Sequence, residues 1–536
     1  MSAQFEKQLV LDPRLQATSN IRFGVYKGAQ NVTSAKYTAN SNTSSSAVWN
    51  IAVPSQTTMI DTHVLLHSKL KITFSEAINS TKVASAAFPA HQWMTNVSAT
   101  INSNQVSVNM NDCLEPIIRS LPKEQLFNFE GTCPVMADAY PEYTNGQAGY
   151  LNNPLLGYQA SGMENYIHPN GAHPLIVDDE DNEILYLETV EPLLFSPFTF
   201  GRAESCESAL YGVTNMSFNF NLGNVNRVIR VTSEELGAKT FTIEWAEAPE
   251  LQFFFLTPSP SVAKRLNSLN NHKYYTLSRV ITNGVAVSEG VDFNPGVATI
   301  TSTTVQLNSI PDKLFIFTKL KNQNASKGDS HLTISNISLN WNNQSGLLAN
   351  FSPQQLYQCS REAGIQQSWL DWSGVARGID GDAVRTAGGI LVLDFSKHIA
   401  LQEDYLAPNS LGNYNLQMNV QVKNYGSALL GSAYDLYIIA MTSGVLSLDK
   451  GTAAVYTSLL SAEDVLSTAD MEPMYKPDVD RFIGGSIFDN IRSALPKMLP
   501  VARQVLEMVP NQYAQAAAAG LKTLGYAKMG MQHRVK

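Results

Sequence analysis

A succession of strands, one short helix and more strands occurs twice along this chain, and that repetition constrains the fold more than any single motif. In the first pass, "VWNIAV" (48–53), "HVLLHSKLKITF" (63–74) and "NVSATINSNQVSVNM" (96–110) are β-branched or alternate apolar with polar residues. Each is bounded by Pro, Gly, Asn or Ser, the residues that end strands. "NDCLEPIIRSL" (111–121) then changes period: Leu114, Ile117, Ile118 and Leu121 form one apolar helical face. Strands resume with "EPLLFSPF", "ALYGVTNMSFNFNL", "VNRVIRV" and "FTIEWAEAPELQFFFL".

After the proline-containing break "TPSPSVAKRLNSLNN" (257–271) the order begins again. "HKYYTLSRVI", "VATITSTTVQL", "DKLFIFTKL" and "SHLTISNISLNW" lead into a helix, "SPQQLYQCSREA" (352–363), with Ser352 as N-cap and Pro353 at its first position. "GGILVLDFSKHIAL", "NYNLQMNVQVKN" and "AYDLYIIAMTSGVL" follow as strands. Two stretches share an offset of 200: "LLFS" (193–196) with "LDFS" (393–396), and "MSFNFNLGN" (216–224) with "LQMNVQVKN" (416–424). "SKLKITF" (68–74) matches "DKLFIFT" (312–318) at offset 244, the difference being taken up by a longer insertion in the first half. The chain therefore reads as all-β, a tandem duplication of one β-sandwich.

The expected organisation is a flexible N-terminal arm over 1–45, a first sandwich over 46–256, a linker at 257–271, a second sandwich over 272–450 and a C-terminal extension over 451–536. The arm ends in "TANSNTSSSAVWN", a polar run with little apolar surface to pack, so order is expected from about Val48. Residues 122–190, rich in Gly, Asn, Pro, Tyr and acids, are too long for a connector and read as an insertion loop. At 536 residues the chain is long enough for at least two cores.

Strong signatures of catalysis are absent: there is no G-x-S-x-G elbow, P-loop, dinucleotide fingerprint or H-E-x-x-H helix. Cys113, Cys133, Cys206 and Cys359 are scattered, without CxxC or zinc spacing, and read as buried free thiols. "MSAQFEKQLVLDPRL" has no apolar run of signal-peptide length, and no stretch offers the roughly 20 apolar residues of a membrane span. "HPNGAHPLIVDDEDNE" gathers His168, His173, Asp178, Asp179, Glu180 and Asp181, but lacks the alternating acidic spacing that wraps a cation and reads as a solvated loop. "IDGDAVR" (379–385) reads as a tight turn. Trp341, Trp369 and Trp372 could stack on sugars, although core positions are commoner for Trp. No metal or cofactor is expected.

The last part of the chain has its own chemistry. From Arg481 onward there are eight Lys or Arg and two acids; the preceding residues hold 29 and 44. The body is acidic, the tail basic. Ile487, Phe488, Ile491, Leu495, Leu499, Ala502, Val505, Leu506 and Val509 keep helical spacing, with Arg492, Lys497 and Arg503 among the polar positions. An amphipathic basic helical tail is expected from about residue 485, kinked or divided at Pro496 and Pro500. Such a face suits an anionic membrane or a protein groove, and a helix packed beneath the sandwiches is the equal alternative. Its charge is sparse for packaged DNA.

With "ISLNWNNQSGLLANFSPQQLYQCSREAG" (337–364) and "GGILVLDFSKHIALQEDYLAPNSLGNYNLQMNVQVKN" (388–424), the repeat resembles the double jelly-roll major capsid proteins of adenoviruses, virophages and Polinton- or adintovirus-like elements. The resemblance implies two upright jelly rolls and a pseudo-hexameric homotrimer tiling an icosahedral shell around double-stranded DNA. The 122–190 insertion would be a tower or an inter-subunit loop. Neighbouring capsomers, penton and minor capsid proteins would be the partners, together with an inner membrane or packaged DNA at the tail. The place would be the virion, after synthesis in host cytoplasm and assembly there or in the nucleus. In some related viruses a cysteine protease cuts after Gly-Gly, and "FIGG" before Ser486 is similar, with Gly484 and Gly485 as the cleavage pair and Phe482 where an aliphatic residue is usual. Two readings compete: a single jelly-roll coat protein with a projecting domain, against which the nearly neutral N-terminus speaks, and a carbohydrate-binding or -hydrolysing β-sandwich protein.

Overall fold

The computed structural model describes residues 28–468 except 56, 80–81, 145–153, 156–175, 178–182, 200–208, 261–269, 289, 322, 330, 379–380, 426–432, 450 and 459. Alternating sequence becomes alternating burial. Leu65–Phe74 buries every second residue, and Asn215–Leu222 does the same. These strands lie inside the two sheets of a first sandwich. In one sheet the order is Asn31–Thr38, Glu250–Thr257, Leu65–Phe74, Ile184–Pro192, with Phe241–Trp245 also pairing Leu65–Phe74. In the other it is Ser46–Ala52, Asn215–Leu222, Met94–Ile101, Asn104–Val108. Trp49, Phe218, Phe220 and Phe253 fill the space between them.

A second sandwich has the same plan. One sheet runs Asn270–Thr282, Tyr434–Asp449, Lys313–Leu320, Leu391–Asp394, and the facing sheet runs Gly296–Thr301, Leu411–Asn424, Thr333–Trp341, Gln344–Leu347. The repeats read in the sequence fall on equivalent strands. Asn215–Leu222 and Leu411–Asn424 are both interior strands of their sheets, and Leu65–Phe74 and Lys313–Leu320 are both central. "LLFS" and "LDFS" close the two strands that pair with these central ones. The helices correspond too: Met110–Ser120 follows Asn104–Val108, and Pro353–Glu362 follows Gln344–Leu347. Ser352 caps the latter through a capping box, its Oγ accepting from Gln355 N–H while Gln355 Oε1 accepts from Ser352 N–H at 2.8 Å.

The 313–320 strand is buried at nearly every residue, on both faces. Leu314 and Ile316 enter the core of the second sandwich, whereas Phe315 and Phe317 enter the cluster continuous with the first. Leu391 and Leu393 alternate with Ile390 and Val392 in the same way. Lys313–Leu320 and Leu391–Asp394 thus form part of a wall shared by both cores, which explains why these two strands are nearly continuous apolar runs and not alternations.

Strand registers give the molecule two distinct ends. Phe74, Ile184 and Leu222 in the first roll, with Thr282, Leu320 and Asn424 in the second, mark one end. Val285 and Ala286, beside Tyr434 and Ala433, and the paired strands Val375–Arg377 and Ala383–Arg385 lie there, as do Tyr143, whose N–H donates to Ser326 O, and Glu183, whose O accepts from Phe74 N–H. At the opposite end the chain enters at Asn31, paired with Thr257, and leaves after Leu460, where Leu411 N–H donates to Leu460 O. The rolls point the same way, because Gly451 N–H donates to Gly212 O at the terminus end while Val231 N–H donates to Ala325 O at the loop end.

Three expectations are corrected. Order begins well before Val48: Asn31–Thr38 pairs along its whole length with Glu250–Thr257, and Tyr37 packs edge-on against Phe253 and Phe255. An edge strand is held by its backbone ladder and needs few apolar residues, so a polar run was compatible with one. The 122–190 insertion contains a sheet strand, Ile184–Pro192, paired over its full length with Leu65–Phe74, and its first part buries Phe129, Cys133, Val135, Tyr140 and Tyr143. The second roll does not stop at 450, since Thr452–Thr457 forms a hairpin with the end of Tyr434–Asp449. The tail residues Gly484, Gly485, Ser486, Ile487, Phe488, Ile491, Leu495, Leu499, Val505, Leu506 and Val509 lie outside the described residues.

Candidate functional site: the junction between the rolls

Among the described residues no group of three or more His, Cys, Asp or Glu is placed to hold a metal ion. The 168–181 acids and histidines lie outside the described residues. Near the expected 379–385 turn, Gly378 N–H donates to Asp382 O and Gly381 has φ +89, while Ala383–Arg385 is a strand paired with Val375–Arg377. Trp341 and Trp372 are fully buried: the first stacks on Tyr414, and the second donates its indole N–H to Ile390 O. Trp369 packs on Tyr357 and Trp372. Trp341 and Trp372 are core, and Trp369 is a half-buried ring packed against that core. Cys113, Cys133 and Cys359 are buried free thiols.

The concentration of chemistry lies where the rolls meet. The Met110–Ser120 helix was expected to bury one apolar face, and it buries the opposite face as well, including Asp112, Glu115 and Arg119. Arg119 is the hub. Its Nε donates to Glu115 at 3.1 Å, one terminal nitrogen to Asp371 of the second roll at 2.7 Å, and the other to the Asp138 carbonyl at 2.7 Å. Arg227 reaches Asp329 of the second roll at 2.7 Å and the Asn111 carbonyl at 2.8 Å. That carbonyl also accepts from Lys319 at 2.7 Å. Arg230 holds Asp138 at 2.5 and 3.0 Å, and Asp138 accepts in addition from Tyr143 and from Asp329 N–H. Asp112 pairs with Arg279.

Three guanidiniums and Lys319 therefore face Glu115, Asp138, Asp329 and Asp371 in a space closed to water, with ion pairs running across the junction. Burial works against the charge of Asp329, yet Arg227, Lys319 and Arg230 hold its carboxyl well below the usual range. Glu115 takes the other role. Burial, reinforced by the Asp329 charge beside it, pushes its carboxyl up to about 7. Burial, with Arg227 nearby, pushes Lys319 down to about 7. Below about 7 Glu115 is the uncharged member and above about 7 Lys319 is.

This sets a measurable pH dependence. A carboxyl raised in the folded state adds stability that is present below its unfolded value and lost as pH rises through about 7. The stability of the parent chain minus that of Glu115→Gln is expected to fall by about 1.4 kcal/mol per pH unit between pH 5 and 7, then level off. Denaturation midpoints across this range check it. Contributions from His272 and His331, both pushed down to about 4 by burial, cancel in the difference. A flat difference would show that Glu115 ionises normally.

Sequence reasoning did not find this junction. The helix shows Glu115 and Arg119 at i and i+4, a pattern that ordinarily marks a solvated face. The partners at 138, 227, 230, 329 and 371 are far away in sequence, and nothing local connects them.

Two jelly rolls in tandem, parallel and fused through a shared wall, define a double jelly-roll protein. Comparison with known proteins narrows the class. Residues 3–186 and 176–249 match the first domain of the Sputnik virophage major capsid protein, and residues 277–444 match the C-terminal domain of the major capsid protein V20. The putative capsid protein V20 of Sputnik virophage is 26% identical, over 97% of this chain and 93% of that protein. A chain of the cryo-EM structure of the Sputnik virophage superposes with a TM-score of 0.77 at 25% identity, covering 89% of this chain and 98% of that one. The mavirus major capsid protein shares the fold, with a TM-score of 0.71 at 12% identity over 88% and 99% of the two chains. The chain belongs to the Sputnik virophage major capsid protein family: it is a structural protein of the virion and not an enzyme.

Proposed function

We propose that three copies of this major capsid protein associate into a pseudo-hexameric capsomer, and that such capsomers tile an icosahedral shell with the loop end outward and the terminus end inward. The observation that carries this reading is the parallel, side-by-side pairing of two equivalent rolls, held by buried ion pairs at the junction. Two similar units per chain give a trimer six near-equivalent flanks, so a three-fold object fits a hexagonal lattice. Neighbouring capsomers, penton proteins and minor capsid proteins are then the lateral and inner partners. Light scattering on the purified protein is expected to give three times the 58.7 kDa of the chain, with a trimer by electron microscopy. A monomer at micromolar concentration overturns the reading.

The 122–190 insertion would supply the tower or an inter-subunit loop, since Tyr143 and Glu183, on either side of its middle part, both lie at the loop end. The basic amphipathic tail would face the interior, where an inner membrane or packaged DNA is available to it, and Gly484, Gly485 and Ser486 would be the release point. Intact mass of the capsid chain from mature particles decides the last point. A chain ending at Gly485 supports cleavage, and one ending at Lys536 excludes it. Assembly in host cytoplasm or nucleus belongs to the same proposal.

A further inference from the structure

We propose that, before any cleavage, the basic tail docks on an acidic and apolar shelf at the terminus end of its own second roll. Two segments build the shelf. Residues 403–411 lead into the 411–424 strand, and residues 460–468 contain the short helix Ala462–Thr468. They are joined where Leu411 N–H donates to Leu460 O at 2.9 Å and Leu460 N–H to Asn409 O at 3.2 Å. The helix start is capped reciprocally, Ser461 N–H donating to Asp464 at 2.9 Å and Asp464 N–H to Ser461 Oγ at 3.2 Å. Yet none of its residues is buried, and Tyr405, Leu411 and Leu466 stand 42%, 58% and 50% exposed. A helix of two turns does not sustain itself in water, and the two hydrogen-bonded segments each expose large apolar residues.

Charge and chain length name the cover. Every charged residue of these two segments is acidic: Glu403, Asp404, Glu463 and Asp464. The chain leaves the shelf at Thr468, turns basic from Arg481 and presents Ile487, Phe488, Ile491 and Leu495 at helical spacing. Residues 469–486 are a tether with a reach of roughly 60 Å when extended, ample for the stripe to fold back over Leu411 and Leu466. Tethering also supplies an effective concentration that a free partner would not have. Anionic headgroups would be repelled by the shelf's four acids, so the shelf itself is not built for a membrane. The inference rests on the capsomer reading only in that the tail is present and faces the terminus end.

Hydrogen exchange on purified capsomers tests it, comparing the full chain with one ending at Gly485. Amides of 403–411 and 460–468 are expected to exchange on the order of tenfold faster without the tail, with strand 313–320 unchanged. The full chain carrying Leu411→Asp and Leu466→Asp is expected to exchange there like the truncated one, and 1 M NaCl to move the parent in the same direction. Equal exchange in the full and truncated chains overturns the proposal, as does protection that arises only on adding phosphatidylserine vesicles. Failure of the capsomer reading is seen separately, as monomer mass in both chains.

Discussion

Replacing Arg119 by Ala is expected to destabilise the chain by about 3–5 kcal/mol, because it leaves buried charges without their partner. The Glu115 and Asp371 carboxylates and the Asp138 carbonyl all turn toward this guanidinium. None of them has water to fall back on, since Glu115, Asp138 and Asp371 are buried along with Arg119. Chemical denaturation read by fluorescence checks the loss. A change below about 1 kcal/mol would place the pair with ordinary surface salt bridges. A companion variant separates pairing from packing. Changing Arg119, Glu115 and Asp371 together to apolar residues of similar size is expected to recover most of the stability, since an apolar core can match a buried ion cluster. The ions would then be holding the two rolls in one register more than holding them folded.

The second large effect is expected at Phe317. Its ring stacks on Tyr437 at 5.4 Å and meets His331 edge-on at 5.2 Å, on the face of the shared wall that looks toward the first roll. Phe317→Ala removes a fully buried ring and is expected to cost about 3–5 kcal/mol. Ile316→Ala, one residue away on the opposite face, is expected to cost about 2–5 kcal/mol, and the two variants differ in kind. Loss of Ile316 weakens the interior of the second roll, whereas loss of Phe317 weakens the adhesion between rolls. Unfolding of Phe317→Ala is therefore expected to separate into two transitions, with faster proteolytic cleavage between Thr257 and Asn270. A single cooperative transition in that variant would show that the junction does not depend on this ring.

Much of the architecture was legible because jelly-roll strands alternate and because equivalent strands of the two rolls carry similar segments. "MSFNFNLGN" and "LQMNVQVKN" could be matched from residues alone, and Ser352 with Pro353 announced its helix. What escaped was whatever depended on partners remote in sequence. Asn31–Thr38 has an exposed, polar face, and only the 250–257 edge beside it makes it a strand. Ile184–Pro192 alternates clearly, but it follows a long stretch rich in Gly, Asn and acids and was absorbed into it. Asp112, Glu115 and Arg119 carried no local sign of burial, because charged residues are buried only when partners supplied by tertiary structure meet them. The charge asymmetry of the tail was plain in composition, while the shelf at 403–411 and 460–468 emerged only when two separated segments were hydrogen-bonded together.

The wall shared by both cores has a consequence for biosynthesis. During translation the first roll emerges complete in its own strands, but the side on which Phe315, Phe317 and Ile439 will lie stays open until those residues leave the ribosome. For that interval it resembles a subunit interface waiting for its mate, the kind of surface that recruits chaperones or wrong copies. A half-chain made alone would keep that surface for good. The two rolls share an interior, and neither is expected to be soluble when expressed without the other.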